Sequence, residues 1–129
     1  MRINYRLASM LVTSVALGAA AVTGLRAQIK TPVYVVIDIG ETLDAAAFAK
    51  AASVASPQEL ISVGGRYLVR STTPAVLDGS APPSRFVLHS FDSDAQPKAW
   101  WNLPSTRQVT SVRLKVTKSR SFEVEGLAN

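Results

Sequence analysis

The sequence contains no cysteine. That excludes a disulfide framework, a thiolate metal site and a cysteine nucleophile, and it suits an oxidising compartment, where stray thiols are a liability. There is a single histidine, His89, so one chain alone builds no multi-histidine metal or haem site. No Gly-x-Ser-x-Gly elbow is present, and Gly64-Gly65 is too short for a phosphate-loop fingerprint; it reads as a turn before a strand. Repeats, low-complexity tracts and internal linkers are also missing. At 129 residues the chain has room for one domain of ordinary size and not for a large multidomain enzyme. Acidic residues are scarce, 9 against 14 Lys and Arg, giving a formal charge of +5. On its face that points to an anionic partner.

The N-terminus revises this reading. Met1 to Arg6 carries Arg2 and Arg6 and no acid. Leu7 to Val22 is uncharged and rich in Leu, Val, Ala and Met, and Thr23-Gly24-Leu25-Arg26-Ala27-Gln28 follows. A basic start, an apolar stretch and a small residue before a polar one are the three parts of a secretory signal peptide. The expected organisation is a signal peptide over residues 1–27 and one domain over residues 28–129. Ala20, Ala21 and Gly24 are alternative ends of the signal, and an uncleaved membrane anchor is the alternative to cleavage. Removing Arg2, Arg6 and Arg26 lowers the formal charge from +5 to +2. The expected location is therefore outside the cytoplasm, periplasmic or secreted, with membrane contact only through an uncleaved signal segment.

The remaining chain alternates strands and helices. Val33 to Ile39 (Val-Tyr-Val-Val-Ile-Asp-Ile) is a β-branched strand that reads as buried on both faces. Asp44 is placed to cap an alanine-rich helix over Ala45 to Ala55, whose continuation ends at Gly64-Gly65. Arg66 to Arg70 is the second strand, with a possible resumption over Ala75 to Leu77. A loop with Pro82-Pro83 leads to the third strand, Arg85 to Phe91. Asp92 or Ser93 caps a second helix reaching about Asn102. Residues 105–118 fit two periods: Val109, Val112 and Val116 suit a helix, while Val112, Leu114 and Val116 alternating with Arg113 and Lys115 suit a strand. Ser119 to Glu125 is the last strand. The order β-α-β-β-α-β is the ferredoxin-like arrangement, an α+β fold with a four-stranded antiparallel sheet and helices on one face. A bare apolar sheet face needs a cover, and a second copy of the chain is the expected one.

Five segments occur in a telling order: Val-Tyr-Val-Val-Ile-Asp-Ile (33–39), Gly-Gly-Arg-Tyr-Leu-Val-Arg (64–70), Arg-Phe-Val-Leu-His-Ser-Phe (85–91), Ala-Trp-Trp (99–101) and Ser-Arg-Ser-Phe-Glu-Val-Glu-Gly (119–126). Together they resemble the domain-of-unknown-function 1330 family, within the dimeric α/β-barrel superfamily, over about residues 32–127. The Gly-Gly-Arg-Tyr-Leu-Val-Arg segment is the most specific piece. The resemblance implies a ferredoxin-like subunit that pairs sheet to sheet with its twin, and a helix over 105–116. It carries no established reaction, and fold alone does not fix one.

Strand alternation proposes a site. Val35, Ile37 and Ile39 are assigned to the helix side, with Phe86 and Leu88, Tyr67 and Val69, and Phe122 and Val124. Asp38, Arg66, His89 and Glu123 then fall on the open face. With the first and third strands taken as parallel neighbours, these four line one end of that face as a candidate ligand pocket. An acid, an imidazole and a guanidinium together move protons or hold a carboxylate or enolate. The competing reading is a self-satisfied charge cluster at a dimer interface. Asp38, His89 and Glu123 are conceivable metal ligands by type alone, without supporting spacing, so neither a metal nor a cofactor is expected. Trp100, Trp101 and Tyr67 read as core residues. The basic stretch from Lys98 to Arg120 reads as a solvated face, and nothing marks a nucleic-acid partner.

The expectation from sequence is thus an exported homodimer that binds a small molecule. One alternative is a cofactor-independent enzyme acting on a small organic substrate with Asp38 or His89 as base and Arg66 as anion stabiliser. The other is a structural or interaction module without a ligand.

Overall fold

The computed structural model describes residues 31–128, and the compact body within it spans Thr31–Leu127. The expected signal peptide lies outside the described residues. Eight elements follow in order: β1 (Val33–Thr42), α1 (Ala45–Ala52), α2 (Pro57–Ser62), β2 (Arg66–Ser71), β3 (Arg85–Phe91), α3 (Ala95–Trp101), α4 (Pro104–Val116) and β4 (Thr117–Glu125). The strands form one sheet in the order β2-β3-β1-β4. Every neighbouring pair is antiparallel. The two helical connections therefore each join parallel strands across an intervening one, which is the ferredoxin-like arrangement expected from the element order.

Local chemistry accounts for most boundaries. Asp44 caps α1, its Oδ1 accepting from the Ala47 N–H at 3.0 Å. The helix expected to run unbroken to Ala55 stops at Ala52; the Val54 and Ala55 N–H groups turn to i−3 carbonyls, Ala51 O and Ala52 O, and the extended Ser56 before Pro57 separates it from α2. At the end of α2 the Gly65 N–H bonds to Leu60 O and the Gly64 N–H to Ile61 O, both at 2.9 Å. This is the Schellman arrangement, and Gly64 supplies its left-handed residue at φ 84°. Residues 75–77 form no strand. Neither Asp92 nor Ser93 caps α3. Their N–H groups donate instead to Gln96 Oε1 at 2.8 and 3.3 Å. The ambiguous stretch is helical through Val116, as the family resemblance implied, and β4 begins at once at Thr117.

The core lies between the sheet and the helices. Val35, Leu60 and Phe91 form its centre, with Ile37, Val63, Trp100 and Trp101 packed around them.

The register corrects the face assignments. β1 and β3 are antiparallel, not parallel, because β3 returns from the loop after β2 and inserts between β2 and β1. Directly opposed residues share a face, and His89 opposes Val35, Val87 opposes Ile37, and Phe91 opposes Val33. The helix side of β3 is thus Arg85, Val87, His89 and Phe91. Phe86 and Leu88 lie on the other face. On β4, Glu123 opposes Val35, while Phe122 opposes Val36 and Val124 opposes Tyr34, so Phe122 and Val124 also belong to the far face. On β2 the register shifts between Tyr67 and Val69. This bulge keeps Tyr67 with His89 on the helix side and sends Val69 to the far face with Leu88. The reversal has a simple cause: both faces carry large apolar residues, so alternation groups residues correctly without saying which group meets the helices.

Candidate functional site

The four residues expected to cluster do not. Asp38 lies on the far face opposite Arg120, whose Nε sits 3.2 Å from Asp38 Oδ2. Arg66 is on the same face, opposite Ser90, and pairs with Asp92 at 3.7 Å. His89 and Glu123 share the helix side, flanking Val35 from its two neighbouring strands. Two strand spacings separate them, about 10 Å. His89 is buried, whereas Glu123 is exposed.

The burial of His89 directs attention to a different site. The side chain is 2% exposed. Its ring lies between Tyr67, 4.7 Å away, and Trp100, 4.6 Å away, both in tilted contact. Neither Nδ1 nor Nε2 has a hydrogen-bond partner among the described residues. Buried polar atoms are nearly always paired, and an unpaired one costs roughly 1–3 kcal/mol. Burial, and then the neighbouring Arg70 charge, lower the His89 pKa from 6.5 to about 4. At neutral pH the ring is therefore uncharged and offers one donor and one acceptor.

His89 borders a cleft of about 300 Å³ between the sheet and α1, α2, α3 and α4. The sheet beneath it is layered by the register: Tyr67 and His89 share a rung with the core residue Val35, Arg70 and Val87 with Ile37, and Arg85 and Ile39 with Ser119. Arg70 and Arg85 border the cleft, and their guanidinium groups lie over aromatic rings, Arg70 5.1 Å from the Tyr67 centroid and Arg85 5.3 Å from that of Phe48. Arg113 reaches in from α4. It is 4% exposed and donates from Nη1 to Ser119 Oγ at 2.7 Å. Thr117 braces this corner by donating to the Arg113 carbonyl at 2.7 Å. Burial lowers the Arg113 pKa as well, though a guanidinium stays charged in proteins. Glu59, the one acid on the lining, accepts from Ser105 Oγ.

Of these residues the sequence reading singled out only His89 as a ligand contact, and it took Tyr67 and Trp100 for core. One signal was present: Arg85, Val87, His89 and Phe91 share parity, so Arg85 goes wherever His89 goes, although Phe86 on the other parity matches Phe91 in size and leaves the choice of face open. Arg113 and Phe48 gave no such signal, because their meeting with β3 depends on how α1 and α4 lie on the sheet.

Residues 32–127 match the family described as domain of unknown function, DUF1330. The chain belongs to the DUF1330 family. No curated protein matches it. Among solved structures, the DUF1330 domain is similar to a protein of unknown function from Rhodopseudomonas palustris, at 15% identity and a TM-score of 0.58, covering 85% of this chain and 94% of that one. It is also similar to a dimeric ferredoxin-like protein of unknown function from Thermobifida fusca, at 10% identity and a TM-score of 0.55, covering 74% of this chain and 92% of that one. A third is a protein from Nitrosomonas europaea named as a candidate antibiotic biosynthesis monooxygenase, at 17% identity and a TM-score of 0.50, covering 74% of this chain and 98% of that one. At these identities the likeness establishes the fold of the DUF1330 domain and leaves activity to its own residues.

Proposed function

We propose that the chain is an exported homodimeric binding protein that holds a small molecule in the helix-side cleft. His89 carries the reading. It borders a cleft of about 300 Å³, and both of its buried nitrogens lack partners among the described residues, which leaves polar capacity for a molecule bound there once the ring packing shifts to admit it. The enzymatic alternative loses its arrangement of groups, since Asp38 and Arg66 lie across the sheet from His89 and are engaged in surface ion pairs.

The dimer reading draws on the far sheet face. Tyr34, Val36, Leu88, Phe122, Val124 and Val69 all belong to it, and Phe122 and Val124 are 42% and 44% exposed. Apolar exposure of this kind marks an interaction surface, and the similar Thermobifida protein is described as dimeric. The basic and apolar pattern of residues 1–27 supports export.

Native mass spectrometry of protein recovered from the export compartment tests the three parts together. The expected spectrum is a dimer of chains beginning at Gln28, with added mass lost on denaturation. A monomer at micromolar concentration overturns the dimer, and an intact N-terminus with cytoplasmic recovery overturns export. A ligand-free spectrum, with no thermal shift on adding small aromatic compounds, overturns the binding reading.

A further inference from the structure

The cleft is chemically unequal along its length, and this restricts what it accepts. At one end Tyr67, His89 and Trp100 bring three rings together. Four residues along β3 from His89, a rise of about 13 Å, lies Arg85. Arg113 reaches the same rung from the opposite side, through its bond to Ser119, which opposes Ile39 just as Arg85 does. Arg70 stands on the rung between.

The charge there is unbalanced. Three guanidinium groups and one carboxylate border the cleft. The ion pairs among the described residues join Arg66 to Asp92, Lys118 to Glu41 and Arg120 to Asp38. None involves Arg70, Arg85 or Arg113. Exposed arginines without partners are ordinary, but Arg113 is 4% exposed, and burying an unpaired charge is costly. Its one side-chain bond goes to a neutral hydroxyl. Stacking on Phe48 and Tyr67 holds the Arg85 and Arg70 planes in place, which reduces the ordering cost when either takes up an oxyanion.

Resting on the small-molecule reading above, we infer that the ligand is an elongated aromatic carboxylate. Its ring seats beside Tyr67, His89 and Trp100, and its carboxylate meets Arg70, Arg85 and Arg113. The neutral imidazole adds no charge of its own at the ring end, and Arg70, over the Tyr67 ring, is the guanidinium nearest to it. A neutral aromatic fills the ring end and leaves the arginines unpaired. An inorganic anion pairs the arginines and leaves the ring end empty.

Isothermal titration calorimetry of the full folded protein with trans-4-hydroxycinnamate and its neutral primary amide tests this. The acid is expected to bind at one site per chain, with the amide weaker by about tenfold or more, the scale of one lost charge-assisted contact. Arg70→Gln and Arg85→Gln should each weaken the acid by about tenfold and leave the amide unchanged. Lys50→Gln, on an exposed helix end away from the cleft, should change neither. Equal binding of acid and amide, or acid binding unaffected by both arginine variants, overturns the carboxylate assignment while leaving a small-molecule cleft. Failure of both compounds to bind at millimolar concentration overturns the cleft reading itself.

Discussion

His89 is the residue at which burial, charge and cleft meet. Its folded pKa is about 4 against 6.5 in the unfolded chain. The unfolded state therefore takes up a proton more readily than the folded one, and stability falls as pH drops from 6.5 towards 4. Over that window the shift corresponds to about 3 kcal/mol, with no further loss from this group below pH 4. Urea unfolding at pH 7.5, 5.5 and 4.5 should show the decline, and His89→Phe should flatten it. An NMR titration placing the imidazole near 6.5 would contradict the buried, neutral state. Glu59 and Arg70 border the same cleft.

At the scale of elements, the junction of α2 and β2 leaves no room for a side chain at Gly65. Gly65 ends the Schellman arrangement and lies against the core. A Cβ there would sit 2.5 Å from Leu60 Cδ1 and 2.6 Å from Phe91 Cε1, well inside contact distance. Both neighbours are central core residues at 1% and 0% exposure, so neither yields freely. Gly65→Ala is expected to cost about 1–3 kcal/mol, the range for an overpacked core, read as a lower urea midpoint with unchanged slope. An unchanged midpoint would mean that the α2–β2 turn moves as a unit. The Gly-Gly-Arg-Tyr-Leu-Val-Arg segment is thus informative for a physical reason. Its first glycine adopts a left-handed turn, its second leaves room for Phe91, and Tyr67 and Arg70 enter the cleft on either side of the β2 bulge.

For the whole molecule, the question is what covers the far sheet face. Phe122 projects from the edge strand β4 onto that face, away from the core. Phe122→Glu should therefore leave the subunit folded and convert the proposed dimer to monomer, because a carboxylate introduced into a sheet-to-sheet interface would be desolvated. Light scattering after size exclusion measures the mass, and circular dichroism checks the fold. A dimer that survives this substitution must use another surface. Ligand binding in the same variant separates the two sheet faces, since Phe122 does not border the helix-side cleft.

The α+β class, the element order, all four strands to within a few residues, the Asp44 cap and the glycine turn before β2 were all legible in the sequence. Each of these rests on local chemistry: β-branched runs, a side chain that caps, a left-handed turn that favours glycine. It also grouped Arg85, Val87 and His89 on one face, since alternation along a strand needs no partner. Which face that was depended on the packing of the whole sheet. The register of β3 between β2 and β1 arises from long-range pairing, and with apolar residues on both sides the alternation is degenerate. That one choice separated His89 from Asp38 and Arg66 and placed it with Tyr67, Trp100 and three arginines, two of them on neighbouring strands and the third on a helix packed across the sheet.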